Sequence, residues 1–180
     1  RVPMLVEYQG NYYESLSLAM VRVLLGKPPI IPGYPEQSGL SSRSYSGLEW
    51  LDLPTAHGAV RIPVDENVSA LVPYRGVQGS FRYLSAVDAL NGRLKAEQLR
   101  GKIVLLGTTA PGLMDLRATP VGSTYPGVEI HANLVAGMLD GEIKQKPPYV
   151  LGADVLLISL ATLSLALLLP ILSPLWASLL

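Results

Sequence analysis

The chain has 180 residues, of which 49% are hydrophobic and 16% charged, and its 14 basic and 14 acidic groups balance. That length holds one ordinary domain and little else. Balanced charge argues against electrostatic attraction to nucleic acid as the leading idea, and the absence of cysteine excludes disulfides, thiolate metal sites and a cysteine nucleophile.

In chain order, residues 2–8 read as a strand. Asn11 begins a helix-like stretch that places Leu16, Ala19, Met20, Val23 and Leu24 on one face, with Gly26 and Pro28-Pro29 ending it. Residues 26–47, rich in Gly, Pro and Ser, read as a long surface loop. Short extended segments follow at 48–53, 59–63, 70–74 and 80–84, separated by turns such as His57-Gly58 and Asp65-Glu66-Asn67. Ser85 caps a short helix through Leu90, closed by Asn91-Gly92. Lys102–Leu106, with its run of Ile, Val and Leu, suits a strand buried on both faces. A loop over 107–126 leads into an amphipathic helix from about Gly127 to Leu139, stopped by Gly141. Strand, long loop and helix in that order predict an α/β fold, a layered sheet with flanking helices.

The last part of the chain differs in kind. Residues 1–149 hold 14 basic and 13 acidic groups, whereas 155–180 hold none, and Asp154 is the one charge between 150 and 169. Twenty residues at about 1.5 Å each span roughly 30 Å, the thickness of a bilayer hydrocarbon core. A transmembrane helix is expected over 149–170, a turn at Pro170, Ser173 and Pro174, and the start of a second span over 173–180. Lys144 and Lys146 stand just ahead of this tail, within reach of lipid headgroups. Because basic residues prefer the cytoplasmic side, they argue weakly against an outside location for the domain, though two charges seldom decide topology. With Arg1 as its first residue and no signal peptide before it, the chain reads as an excerpt from something longer.

The chemistry-bearing residues gather after the expected buried strand. Ligands of α/β sheets bind beyond the C-terminal ends of strands, and the polar groups there are Thr108, Thr109, Asp115 and Thr119. They either contact a ligand or hold the loop's own backbone through turn and cap hydrogen bonds. Gly107 and Gly112 are not followed by Lys-Ser/Thr, and the Gly-x-Gly-x-x-Gly spacing is missing, which argues against a phosphate-binding loop. His131 and Asn133 open the last helix before the tail. A helix N-terminus favours anions, so His131 either meets a ligand carboxylate or phosphate or packs with its ring nitrogens satisfied. Glu129 suits the same helix dipole and requires no further role.

A metal site would need His57, His131 and carboxylates, without any His-x-x-x-His spacing. A serine hydrolase would need a Gly-x-Ser-x-Gly elbow that the chain lacks. No cofactor, metal or catalytic residue is therefore assigned. Tyr12, Tyr13, Trp50, Tyr74 and Tyr83 read as core packing rather than an aromatic ligand box.

The stretch Gly101-Lys102-Ile-Val-Leu-Leu-Gly107-Thr-Thr-Ala, then Asp115, Thr119-Pro120 and Tyr125-Pro-Gly-Val-Glu-Ile-His-Ala-Asn-Leu134, resembles the CHASE2 domain. Ser15–Ala19, Arg61–Asp65, Tyr74–Gly76 and Ala86–Leu90 support it. The similarity covers residues 1–141. CHASE2 domains are extracytoplasmic sensory modules of bacterial membrane receptors. The resemblance implies about three transmembrane helices after the domain and then a cytoplasmic output module, an adenylate or guanylate cyclase first, a histidine or serine/threonine kinase otherwise. The family's N-terminal helix, preceding anchor and output module are missing from the sequence, and the family offers no agreed ligand. The resulting expectation is a sensor domain over 1–148 facing the periplasm from a multi-pass inner-membrane protein. Its expected partners are the lipid bilayer, a second copy in a homodimer, and an unknown small-molecule or protein ligand, without nucleic acid. Thr108, Asp115, Thr119, His131 and Asn133 are the residues expected to sense the ligand or to stabilise the motif. The alternative is a structural dimerisation module with no small-molecule ligand.

Overall fold

A computed structural model describes residues 1–34, 47–56, 58–109, 115–145 and 149–168. Expectations for 35–46, His57, 110–114, Lys146, and the segment 169–180 with its second span lie outside the described residues.

The first seven or so residues are not one strand. Val2–Pro3 (β1) pairs antiparallel with Ser69–Ala70 (β7), and Leu5–Tyr8 (β2) pairs with Asn11–Glu14 (β3). Between them Met4 is fully buried, its N–H donating to the Val68 carbonyl at 2.8 Å and its own carbonyl accepting from Ser15 N–H at 2.8 Å. The β2–β3 turn is Gln9-Gly10, with φ of 51° and 75°. Positive φ at both central residues gives the turn geometry whose twist suits a two-residue hairpin.

That hairpin corrects the helix expected from Asn11. Residues Asn11–Glu14 are paired as strand, and the helix α1 runs Leu16–Leu24 from Ser15, whose hydroxyl accepts the Leu18 N–H at 3.3 Å. Its buried face is also different from the expected one. Ser17, Leu18 and Val21 point inward, while Leu16, Val23 and Leu24 are exposed. Two apolar stripes fit the same helix, and its contact with the later helix Gly127–Asp140 decides which is covered.

Ile31–Gly33 (β4), Trp50–Thr55 (β5) and Gly58–Pro63 (β6) form a three-stranded antiparallel sheet. The expected extended segments at 48–53 and 59–63 lie in it, and β4 arises inside the expected loop. Leu51, Leu53 and Ile62 alternate into the core as a half-buried sheet requires. On the other side of the hairpin, Arg61 donates to both oxygens of Asp52 at 2.9 and 3.0 Å, with its guanidinium 4.4 Å from the Trp50 ring centre. The hydrogen bond from Arg61, joined by that from Trp50, holds the Asp52 carboxyl below its ordinary range.

Of the segments expected at 70–74 and 80–84, only β7 is strand. Ala86–Leu90 (α2) forms behind Ser85 as expected, although the serine side chain makes no cap bond. Lys102–Leu106 departs furthest from expectation. Among the described residues no strand pairs with it, and Ile103, Val104 and Leu106 are exposed. The composition suits burial on both faces, but burial there needs neighbouring strands, which no local sequence pattern supplies.

Leu116–Thr119 (β8) and Gly122–Pro126 (β9) form a hairpin within the expected 107–126 loop. The helix α3 then runs Gly127–Asp140, and Gly141, at φ 67°, closes it in the left-handed conformation that favours glycine. The α/β content stands, but the layered sheet does not: the described strands form four small antiparallel sheets. Met4, Leu18, Val21, Leu51, Leu53, Ile62, Leu134, Val135 and Met138 form the core between α1, α3 and the β4–β6 sheet.

Arg1–Gln145 is one unit and Lys146–Leu180 a second. The second contains Tyr149–Leu168 (α4), a 20-residue helix with exposed side chains from Gly152 to Leu168. Among the described residues no helix is long and apolar enough to cross a membrane.

Candidate functional site: the two faces of helix α3

Residues 129, 133, 137 and 140 recur at helical spacing and share one face of α3. This face grips the segment 73–83. Glu129, only 2% exposed, accepts hydrogen bonds from Gly79 N–H at 3.1 and 3.2 Å, from Phe81 N–H at 3.4 Å and from the Tyr83 hydroxyl at 2.6 Å. One turn on, the fully buried Asn133 accepts Arg75 N–H at 2.9 Å through Oδ1. Its Nδ2 donates to the Tyr125 hydroxyl at 2.9 Å and to the Glu129 carbonyl at 2.8 Å. Gly137 lies so close to Pro73 that a side chain there would strike its ring. At the end of the helix Asp140 pairs with the Arg75 guanidinium.

The polar groups on this face are satisfied, as buried polar groups must be. Burial, together with the hydrogen bond to Glu129, pushes the Tyr83 hydroxyl well above its ordinary pKa. Burial also raises Tyr74 and Tyr125, whose rings meet edge to face at 5.4 Å. Tyr74 thus packs against Tyr125, whereas Tyr83 is 45% exposed with its hydroxyl on Glu129, and Tyr12 and Tyr13 are exposed on the β2–β3 hairpin, so core packing does not describe these three.

His131 belongs to the other side of α3, against α1. Its Nδ1 lies 2.8 Å from the hydroxyl of Ser17, which is fully buried. Asp115 stands over the start of α3: its carbonyl accepts Gly127 N–H at 2.9 Å, and its carboxylate lies where a side chain on Gly127 would be. A carboxylate there also suits the positive end of the helix. Burial lowers the pKa of His131 below its ordinary value, and the Asp115 charge opposes that shift.

The structure therefore sorts the residues singled out in the sequence. Asp115 and His131 come together at the first turns of α3. Asn133 shares their helix but points into the 73–83 face. Thr119 holds the β8–β9 turn, donating to the Gly122 carbonyl at 3.0 Å. Thr108 is exposed in an irregular segment that follows the Ala96–Gln98 turn. Glu129 needs a correction, because it does more than suit a dipole: it organises the 79–83 backbone. Ser17 was missed entirely, although Ser15–Ala19 belonged to the recognised pattern.

Among the described residues no group of three His, Asp or Glu is placed to hold a metal ion. One shallow cleft of about 350 Å³ is lined by Glu14, Ala19, Arg22, Val23 and Lys27, none of them in the Asp115–His131 cluster. No curated protein and no solved structure matches the chain. The model of the CHASE2 domain family matches residues 1–169.

Proposed function

The chain belongs to the CHASE2 family, sensory domains of membrane receptors, and from that premise we propose that it is the periplasmic input of a bacterial receptor. Residues 1–148 are the sensor, α4 and the apolar residues after it enter the inner membrane, and 173–180 begin a second span. A cytoplasmic adenylate or guanylate cyclase receives the signal, with a histidine or serine/threonine kinase as the alternative output. Asp115 and His131 form the sensing centre, and Thr108, Thr119 and Asn133 shape or support the loops beside it. Two copies act together as a homodimer.

The observation that carries this reading is the extent of the family match: it runs from Arg1 past the last residue of α4. The apolar helix is thus part of the family pattern rather than an appendage to it. Inside α4, Thr162 and Ser164 turn their hydroxyls onto the carbonyls of Ile158 and Leu160 at 2.8 and 2.7 Å. Polar groups in a bilayer core require such internal partners. A signal passes only if the stimulus binds two arrangements of the domain unequally.

A dimerisation module without a small-molecule ligand is the second reading, favoured by the exposed Leu16, Val23 and Leu24 along α1.

The placement has a direct test. Because the chain has no cysteine, Ser123→Cys on the exposed part of β9 gives a single thiol. A membrane-impermeant maleimide should label it in cells whose outer membrane alone is opened. Labelling only after the inner membrane is broken would place the domain in the cytoplasm and defeat the proposal.

A further inference from the structure

We propose that the stimulus read at this centre is the proton: His131, taking one up from solvent, loses its present bond with Ser17, turns toward the charge of Asp115, and loosens α1 from α3. This rests on the sensor reading above and names its ligand.

Ser17 is fully buried, and its hydroxyl meets one partner among the described contacts, Nδ1 of His131 at 2.8 Å. A neutral imidazole with its proton on Nε2 leaves Nδ1 free to accept the serine proton, and the buried hydroxyl is satisfied. A doubly protonated ring has donors on both nitrogens. Nδ1–H then faces the serine oxygen, and the serine proton must find another acceptor in a buried site. An unsatisfied buried donor is unfavourable, so protonation weakens the Ser17–His131 bond that joins α1 to α3.

The charges around the ring decide which way it is drawn. From α1, Ser17 bonds His131, while Arg22 is engaged by Glu14 and the Pro28 carbonyl. On α3 itself, Glu129 is turned into the 79–83 backbone. From β6, Arg61 is paired with Asp52, and from β9 the Tyr125 hydroxyl is held by Asn133. The charge that acts on His131 is Asp115, ahead of β8. One negative group thus attracts the imidazolium at the start of α3, while the neutral ring is held against α1. These are two arrangements with unequal proton affinity, as a switch requires.

The sign of the pH effect follows. The folded domain binds the His131 proton less readily than the ordinary value of 6.5 would imply. The neutral form therefore stabilises the fold fully above the unfolded value of 6.5. That contribution is lost as pH falls from there through the folded pKa. The switch answers acidification, and it is silent on the alkaline side.

The chain contains two histidines, so His57→Gln leaves His131 as the sole imidazole for NMR titration of the 180-residue chain in lipid nanodiscs. The expected midpoint lies below 6.5, and hydrogen-exchange protection of α1 amides should fall over the same pH range. Asp115→Asn should move the midpoint lower still, since the carboxylate favours the charged ring. His131→Gln, which keeps a hydrogen-bonding side chain, should abolish the change in protection. A titration at the ordinary value, or one that leaves α1 protection unchanged, would overturn the proposal. A receptor output that depends on Asp115 and His131 yet ignores pH would also overturn it while leaving the sensor reading intact.

Discussion

Glu129→Ala is expected to destabilise the domain by about 3 kcal/mol, because it strands several buried donors at once. The carboxylate is nearly inaccessible and accepts from Gly79, Phe81 and Tyr83. Hydrogen bonds to a charged acceptor contribute roughly 1.5–3 kcal/mol each, but the desolvation of the carboxylate itself offsets part of their sum. Glu129→Gln keeps an acceptor oxygen and one bond to Tyr83 or the backbone, and should lose about half as much by the same reasoning. Chemical denaturation of the chain followed by Trp50 fluorescence measures both. A loss below about 1 kcal/mol for the alanine variant would mean that the 79–83 segment is held by something else.

Asn133→Ala should be comparably costly, about 3 kcal/mol, for a different reason. Asn133 is fully buried and uses its oxygen and its amide protons on three partners: Arg75 N–H, the Tyr125 hydroxyl and the Glu129 carbonyl. The substitution leaves all three unsatisfied and opens a void beside Tyr125. Asn133→Asp is the informative companion. It keeps the acceptor for Arg75 but brings a negative charge to the Glu129 carbonyl, so it should not rescue stability. Glu129 and Asn133 hold the same segment, and the double variant should lose less than the two single losses added together. Full additivity would show that the two side chains act independently.

The parts of this fold that were legible in the sequence are those with local causes. Helix α3 is announced by its apolar periodicity and by Gly141, whose left-handed φ only a glycine adopts easily. The β5–β6 segments follow from their extended composition. The errors have non-local causes. Asn11–Glu14 carries helix-compatible spacing into Leu16, and only the Gln9-Gly10 turn converts it to a strand. Ile103–Leu106 has the composition of a buried strand, yet its surroundings depend on other parts of the fold.

The candidate site divides in the same way. Asp115 and His131 were legible as residues of a helix N-terminus and the loop before it. Ser17 was not, since it lies 114 residues from the histidine it bonds. Glu129 looked sufficient as a dipole partner, and nothing near it in sequence indicates that the 79–83 backbone comes to it. Proximity across more than forty residues is a product of packing, which a single sequence does not display.

At the centre of the proposal is control of receptor output by Asp115 and His131. Its most direct measurement is the output of the intact receptor carrying Asp115→Ala or His131→Ala, at equal membrane abundance and with the domain folded by limited proteolysis. The account predicts that each variant changes the basal output or the response to stimulus severalfold. Unchanged output and unchanged response in both variants would contradict it.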